Sequence, residues 1–165
     1  MTEVKDMTVT FKKLTEKLWA RNKYEIMAKG YRFYKDIQIS LREAENCREY
    51  LDVYLEIKNQ KELPFCHGDF LNTCEHIWGY FKHKTTESEK EQFFTLFNHA
   101  RSLTAASYTY FPPECRKCAA YLAYLLELYP VSYLKESSVF LPENKWNVIK
   151  INNEYITVTR RHFSC

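Results

Sequence analysis

Glycine is scarce in this chain, with three glycines among 165 residues, while Leu, Tyr, Phe, Lys and Glu are abundant. β architectures rich in tight turns depend on glycine, whereas these abundant residue types include several strong helix formers. Apolar residues make up 45% of the chain and aromatic residues 16%, which is enough to fill the core of one domain. We therefore expect a mainly α fold, a single-domain bundle of about five to six helices.

The clearest helical period lies between Phe70 and Phe81. Its apolar residues form a face suited to a core, namely Phe70, Cys74, Ile77, Trp78 and Phe81. Its polar side carries Asn72, His76, Gly79, Tyr80 and, beyond it, His83. Because a glycine inside a helix is destabilising by about 0.5–1 kcal/mol relative to alanine, Gly79 suggests the close approach of another backbone or a ligand. This polar stripe is the leading candidate for a functional surface.

Helix boundaries can be placed in both halves of the chain. Thr10 is a plausible N-cap for a first helix that runs to about Ala28. The apolar stripe of this helix drifts around its axis, so we expect it to contact two neighbours. Thr86 and Glu89 have the spacing of a capping box, which predicts another helix start.

The last predicted helix follows a Tyr-rich loop and opens at a Pro-Pro pair, since proline is tolerated in the first turn. Between Ala119 and Tyr129 it is apolar nearly all round, which is typical of a helix at the centre of a fold or at the contact of a homo-oligomer.

The C-terminal residues change character. β-Branched residues flank Asn152-Asn153, the pattern of a small β-hairpin with a two-residue turn. We expect residues 143–165 to pack on a helical domain formed by residues 1–142, because an isolated hairpin is marginally stable in water. The last six residues, 160–165, are predicted to be a frayed end.

The six cysteines are Cys47, Cys66, Cys74, Cys115, Cys118 and Cys165. The N-terminal residues lack the apolar run of a signal peptide, and no apolar stretch of about 18 residues could span a membrane. We therefore expect a cytoplasmic protein with reduced thiols and no membrane partner. The net charge of +3 does not by itself favour a nucleic-acid partner.

The motif Asn72-x-x-x-His76-x-x-Gly79-Tyr80-Phe81-Lys82, followed by Glu89-Lys90, resembles the signature of the YbgA-like family, a bacterial domain of unknown function. Further matches are Lys23-Tyr24-x-x-Met27-Ala28, Arg101 and Tyr129-Pro130-x-x-Tyr133-Leu134. The similarity covers roughly residues 10 to 142. Such domains occur alone or as the C-terminal half of proteins that resemble iron–sulfur thiouracil desulfidases. The resemblance thus implies nucleobase or thionucleobase metabolism and a desulfidase-like protein partner.

Asn72 and His76 lie one helical turn apart, so their side chains can converge on one ligand. The carboxamide can donate to and accept from a base edge, the imidazole can transfer a proton near neutral pH, and Tyr80 can stack on a ring. The alternative is that His76 bridges helices while Gly79 permits tight packing.

Basic side chains are the second group of candidate ligand contacts. Lys23, Arg21 and Arg101 could form a pocket for a phosphate or carboxylate, or they could be solvated charges on helix exteriors. The family motif also includes Tyr24 among the candidate ligand contacts.

Cys115-Arg-Lys-Cys118 lies at a predicted helix start, where the helix dipole favours a thiolate, so redox or metal chemistry would suit it. The βαβ setting of thioredoxin-like motifs is absent. With Cys66, His67 and Cys74 these thiols supply enough donors for zinc, but the spacing does not fit the compact zinc template. We therefore expect no metal and no cofactor.

The expected function is an accessory or ligand-binding domain that holds a nucleobase-like small molecule at Asn72, His76 and Tyr80. Two alternatives remain. One is a small enzyme with His76 as general acid–base. The other is an oligomeric or nucleic-acid-binding scaffold.

Overall fold

A computed structural model describes the backbone of residues 2–165 and the side chains of residues 10–165. The helices of the described chain are α1 (Thr2–Lys29), α2 (Tyr31–Glu43), α3 (Cys47–Gln60), α4 (His67–Trp78), α5 (Glu87–Arg101), α6 (Pro113–Leu128) and α7 (Ser132–Lys135). The strands are β1 (Phe65–Cys66), β2 (Ser107–Tyr108), β3 (Val148–Ile151) and β4 (Glu154–Thr157). Short 3-10 turns occupy Ser138–Phe140, Glu143–Lys145 and Arg160–Phe163. The mainly α fold with a C-terminal hairpin is confirmed.

Helix α1 is longer than expected and contacts two hydrophobic cores. It begins at Thr2, so the predicted N-cap at Thr10 is wrong. Tyr24 and Met27 belong to the core shared with α4, α5, α6 and α7, here called the α4–α6 core. Leu18 and Ile26 belong to the core shared with α2, α3 and the hairpin, here called the α2–α3 core. The drift of the apolar stripe therefore predicted correctly that α1 has neighbours on two sides.

Helices α5 and α6 begin as their sequences indicate. The Thr86 side chain accepts a hydrogen bond from the Glu89 N–H, and the Glu89 carboxylate accepts one from the Thr86 N–H, which completes the capping box. Pro113 is the first residue of α6. The buried face of α6 contributes to the α4–α6 core, while Tyr124 and Leu128 are about half exposed.

Helix α4 ends at Trp78, and Gly79 is its C-cap residue with φ of −53°. A Cβ atom at Gly79 would lie 3.1 Å from the carbonyl oxygen of His76, in the preceding turn. The prediction that Gly79 lies inside a helix and admits another backbone is wrong, because it is a C-cap residue whose close neighbours belong to its own helix. A contact between Gly79 and a ligand stays a prediction. Phe81 belongs to the following turn and is fully buried.

Strands β3 and β4 form a hairpin with a two-residue turn, in which Ile151 pairs with Glu154. Asn152 and Asn153 have φ of 51° and 66°, the left-handed values that such a turn requires. Ile149 is buried in the α2–α3 core.

The predicted frayed end is wrong, since residues 160–163 form a 3-10 turn and Phe163 is buried against Phe11 and Tyr54. The prediction that all thiols are reduced is also wrong, because Cys47 and Cys165 form a disulfide across 118 residues. The other four cysteines are free. None of the helices in the described part of the chain has an apolar stretch long enough to cross a bilayer.

Candidate functional site

The polar face of α4 is held toward solvent because the opposite face is anchored in the core. Phe70, Cys74 and Ile77 are buried in the α4–α6 core. At the N-terminal end, the His67 N–H donates to the carbonyl of Ala106 at 3.0 Å, next to the short β1–β2 pairing. These contacts fix the rotation of α4, so the side chains of its polar stripe point outward.

A surface pocket of about 400 Å³, here called the α4 pocket, lies on this face. It is lined by Met27, Tyr31, Asp69, Asn72, Glu75 and His76. Helix α1 supplies Met27 and helix α2 supplies Tyr31, while the four polar residues come from α4. The structure thus brings Asn72 and His76 together on one wall.

Within the described chain, neither the carboxamide of Asn72 nor the imidazole of His76 forms a hydrogen bond or ion pair with another residue. Both side chains are exposed. The alternative that His76 bridges two helices is therefore wrong. Both groups are free to bind a ligand.

The two carboxylates of the pocket, from Asp69 and Glu75, were missed by the sequence analysis. Asp69 precedes Asn72 by three residues and His76 by seven, so the helical period places all three on one face. That spacing is the signal that could have identified Asp69. The carboxylates make the pocket acidic and able to accept N–H groups.

Tyr80 and Tyr24 form a separate cluster that does not line the α4 pocket. Their hydroxyl groups share a hydrogen bond of 2.7 Å, and the ring of Tyr24 also meets the edge of Tyr133 at 6.3 Å. The ammonium of Lys23 lies 4.7 Å from the centre of the Tyr133 ring. Burial and the hydrogen bond to Tyr80 raise the pKa of Tyr24, so its hydroxyl stays protonated.

The predicted basic pocket of Lys23, Arg21 and Arg101 does not form. Arg21 is 6% exposed, and its guanidinium donates to the carbonyl of Lys145 and to Glu136. The guanidinium of Arg101 lies 5.9 Å from the ring centre of Phe97, on its own helix. Arg21 has a structural role that only the folded C-terminal segment reveals.

Cys115 and Cys118 are fully buried in the first turns of α6. Burial raises the pKa of Cys115, and a hydrogen bond to Cys118 together with burial raises that of Cys74 well above its usual value. The thiolate expected from the helix dipole is therefore not favoured, because loss of solvation outweighs the dipole. Among the described residues, no three His, Cys, Asp or Glu side chains are arranged to hold a metal ion.

A partly buried hydrogen-bonded chain beside these thiols was also missed. His67 Nδ1 and the Tyr108 hydroxyl are 2.9 Å apart, and that hydroxyl lies 3.3 Å from the Cys115 sulfur. His67 Nε2 is buried and has no hydrogen-bond partner in the described structure. The pairing of β1 with β2 brings Tyr108 beside His67, and two-residue strands give no readable period in sequence.

A family model described as a protein of unknown function (DUF1722) matches residues 23–143. The match includes every residue that lines the α4 pocket, whereas the first part of α1 and the β3–β4 hairpin lie outside it. No curated protein and no solved structure matches the chain.

Proposed function

The chain belongs to the DUF1722 family, and we propose that it is an accessory or ligand-binding domain that holds a nucleobase or nucleoside in the α4 pocket. The observation that carries the proposal is a pair of side chains, Asn72 and His76, on one wall of a pocket of about 400 Å³, neither of which has a hydrogen-bond partner among the described residues. A pocket of this volume accommodates a small heterocycle.

The lining residues fit the edge of a base. The carboxamide of Asn72 can donate to a carbonyl or thiocarbonyl and accept from a ring N–H. The carboxylates of Asp69 and Glu75 can accept further N–H groups, and the exposed ring of Tyr31 can stack on the heterocycle. Met27 contributes an apolar contact.

The charge of the pocket favours neutral ligands. The described lining of the pocket contains the carboxylates of Asp69 and Glu75 and the imidazole of His76. The two negative charges would repel a phosphate group. We expect free bases and nucleosides to bind more tightly than nucleotides at this site.

The choice of uracil and thiouracil as first probes comes from the YbgA-like resemblance. Such domains are joined to thiouracil-desulfidase-like halves in other proteins, which supports an accessory role for the domain in presenting a thiolated base to a separate desulfidase-like protein.

Calorimetric titrations with uracil, 2-thiouracil, cytosine, uridine and UMP test the proposal. Replacing Asn72 or His76 with alanine should weaken binding of the tightest ligand about 2- to 10-fold each, the range of one neutral hydrogen bond. His83→Ala is the matched control, because His83 is exposed but does not line the pocket.

Two results would overturn the proposal. One is the absence of heat and of thermal stabilisation with the four uncharged compounds, uracil, 2-thiouracil, cytosine and uridine, at millimolar concentration. The other is binding that His83→Ala weakens as much as Asn72→Ala does.

A further inference from the structure

A second recess, here called the basic cleft, lies between α1, α7 and the β3–β4 hairpin. It consists of two pockets of about 310 and 580 Å³. Both pockets are lined by Lys17, Ser132, Glu136 and Lys150, so they adjoin one another. Neither shares a lining residue with the α4 pocket.

The cleft carries three lysines that lack acidic partners among the described side chains. Lys17, Lys135 and Lys150 are exposed, and none forms an ion pair in the part of the chain that the structure describes. Among the residues whose side chains the structure describes, Glu136 is the only acid in its lining. Its carboxylate accepts a hydrogen bond from Arg21 at 2.9 Å, which neutralises the acid. The cleft therefore retains an excess positive charge that an anion can offset.

Exposed aromatic rings accompany these charges. Tyr133 lines the smaller pocket and is 37% exposed. Tyr155 is 58% exposed, and its hydroxyl hydrogen-bonds to Glu136 at the cleft. The ammonium of Lys150 lies 5.7 Å from the centre of the Tyr155 ring. Lysines beside exposed rings are the combination that binds phosphate and stacks bases in single-stranded nucleic-acid sites.

The walls of the cleft are held in place by buried contacts. Arg21 connects α1 to Glu136, and the buried Ile149 fixes β3 against the α2–α3 core. The left-handed turn places Asn152 and Asn153 in the lining of the larger pocket. These contacts bring side chains from three separate elements around one recess.

We propose that the basic cleft binds the phosphates of a nucleotide or of a single-stranded nucleic acid. Lys17, Lys135 and Lys150 contact phosphate oxygens, and the ring of Tyr133 stacks on a base. This site goes beyond the base-binding α4 pocket and does not depend on it, because the two pockets have different residues and opposite charge.

The test is fluorescence anisotropy of the full chain, with its disulfide intact, against a fluorescein-labelled oligothymidylate of eight nucleotides. Because each phosphate contact contributes about −0.7 to the slope of log affinity against log salt on a single strand, three lysines predict a slope of about −2. Lys17→Ala and Lys150→Ala should each reduce its magnitude by about 0.7. Lys150→Arg should keep it, since the charge is retained.

Two further variants separate a site from general charge. Lys90→Ala removes the same charge from an exposed position on α5 outside the cleft, and it should leave the affinity unchanged. Tyr133→Ala should weaken binding about 5- to 100-fold, while Tyr133→Leu, which retains bulk but not the ring face, should weaken it comparably. Melting temperatures of both variants show whether the fold is kept.

A competition experiment distinguishes a nucleotide ligand from a nucleic-acid ligand. If UMP displaces the labelled oligonucleotide at a concentration similar to that of the unlabelled oligonucleotide, the ligand is a nucleotide. If only the unlabelled oligonucleotide displaces it, the ligand is a single-stranded nucleic acid. Either result supports the proposal. No binding at 50 mM salt, equal weakening by Lys90→Ala, or equally tight binding of polyglutamate would overturn it.

Discussion

Arg21 connects the first helix to the C-terminal third of the chain. Its guanidinium donates to the carbonyl of Lys145 at 2.7 Å, and to the carbonyl and carboxylate of Glu136 at 3.0 and 2.9 Å. The planar group reaches acceptors in two segments, which a lysine ammonium on a flexible stem does less well.

We expect Arg21→Ala to lower the free energy of unfolding by about 2–4 kcal/mol, because three partly buried hydrogen bonds from a charged donor are lost. Arg21→Lys should recover part of this loss. Urea denaturation measures both. Lys13→Ala, at an exposed position on the same helix, is the control and should change the free energy by less than about 0.5 kcal/mol. Equal effects of Arg21→Ala and Lys13→Ala would refute the role of Arg21.

Glu89 makes the stability of the fold depend on pH in the acid range. Its carboxylate accepts hydrogen bonds from the Tyr129 hydroxyl at 2.6 Å and from the Thr86 N–H at 2.9 Å. The hydrogen bond from Tyr129, followed by that from Thr86, lowers the pKa of Glu89 below its ordinary value of 4.5. The folded state therefore protonates the Glu89 carboxylate less readily than the unfolded state does. The stabilisation that the ionised carboxylate gives to the fold is present above about pH 4.5 and is lost as pH falls through the folded-state pKa.

We expect Glu89→Gln to lower the melting temperature at pH 7 and to have a smaller effect at pH 3. Glutamine keeps the capping-box geometry but removes the charge. Differential scanning calorimetry across pH 3–7 checks this, with Glu91→Gln, on an exposed residue of the same helix, as the control. A difference between wild type and Glu89→Gln that does not change with pH would contradict the assignment.

Among the elements, the β3–β4 hairpin depends most on particular residues at its turn. Asn152 and Asn153 both adopt left-handed φ values, which cost about 1–2 kcal/mol for most residues but less for asparagine. The hairpin places Lys150 in the basic cleft and Ile149 in the α2–α3 core. Its turn therefore contributes to the shape of both.

Asn153→Ala should lower the free energy of unfolding by about 1 kcal/mol, because alanine has no local hydrogen bond to offset its strain at positive φ. Asn153→Gly should leave stability unchanged or raise it slightly. Urea denaturation distinguishes the two. Asn144→Ala, at an exposed position outside the turn, is the control. If alanine and glycine at position 153 have equal effects, the turn conformation described here is wrong.

At the scale of the whole molecule, helix α1 joins the two hydrophobic cores, and a disulfide closes one of them. Helix α1 contributes Tyr24 to the α4–α6 core and Leu18 to the α2–α3 core. The disulfide closes the second core, since it links Cys47 at the start of α3 to Cys165, two residues beyond the buried Phe163.

We expect reduction, or Cys47→Ser, to lower the free energy of unfolding by about 2–5 kcal/mol, because the bond restricts an unfolded loop of 118 residues. Urea denaturation with and without dithiothreitol checks this. Cys66→Ser should retain the response to reductant, whereas Cys47→Ser should lose it. Recovery of six free thiols from unreduced, unfolded protein would show that the bond does not form.

The sequence alone determined the helical class, the capping box at Thr86, the proline start of α6, the two-sided contacts of α1 and the Asn-Asn hairpin. Each of these depends on interactions between residues a few positions apart, which leave a period or a spacing in the sequence. The outward stripe of Asn72 and His76 was predicted for the same reason.

Only the tertiary structure decided which distant side chains meet. The second wall of the α4 pocket comes from α1 and α2, the chain from His67 to Cys115 needs the β1–β2 pairing, and the basic cleft joins residues from three elements. Arg21 and its acceptor carbonyls are separated by 115 and 124 residues, and the disulfide spans 118. These contacts depend on how the helices pack and not on the residues that are neighbours in sequence. A local period or spacing in the sequence therefore cannot predict them.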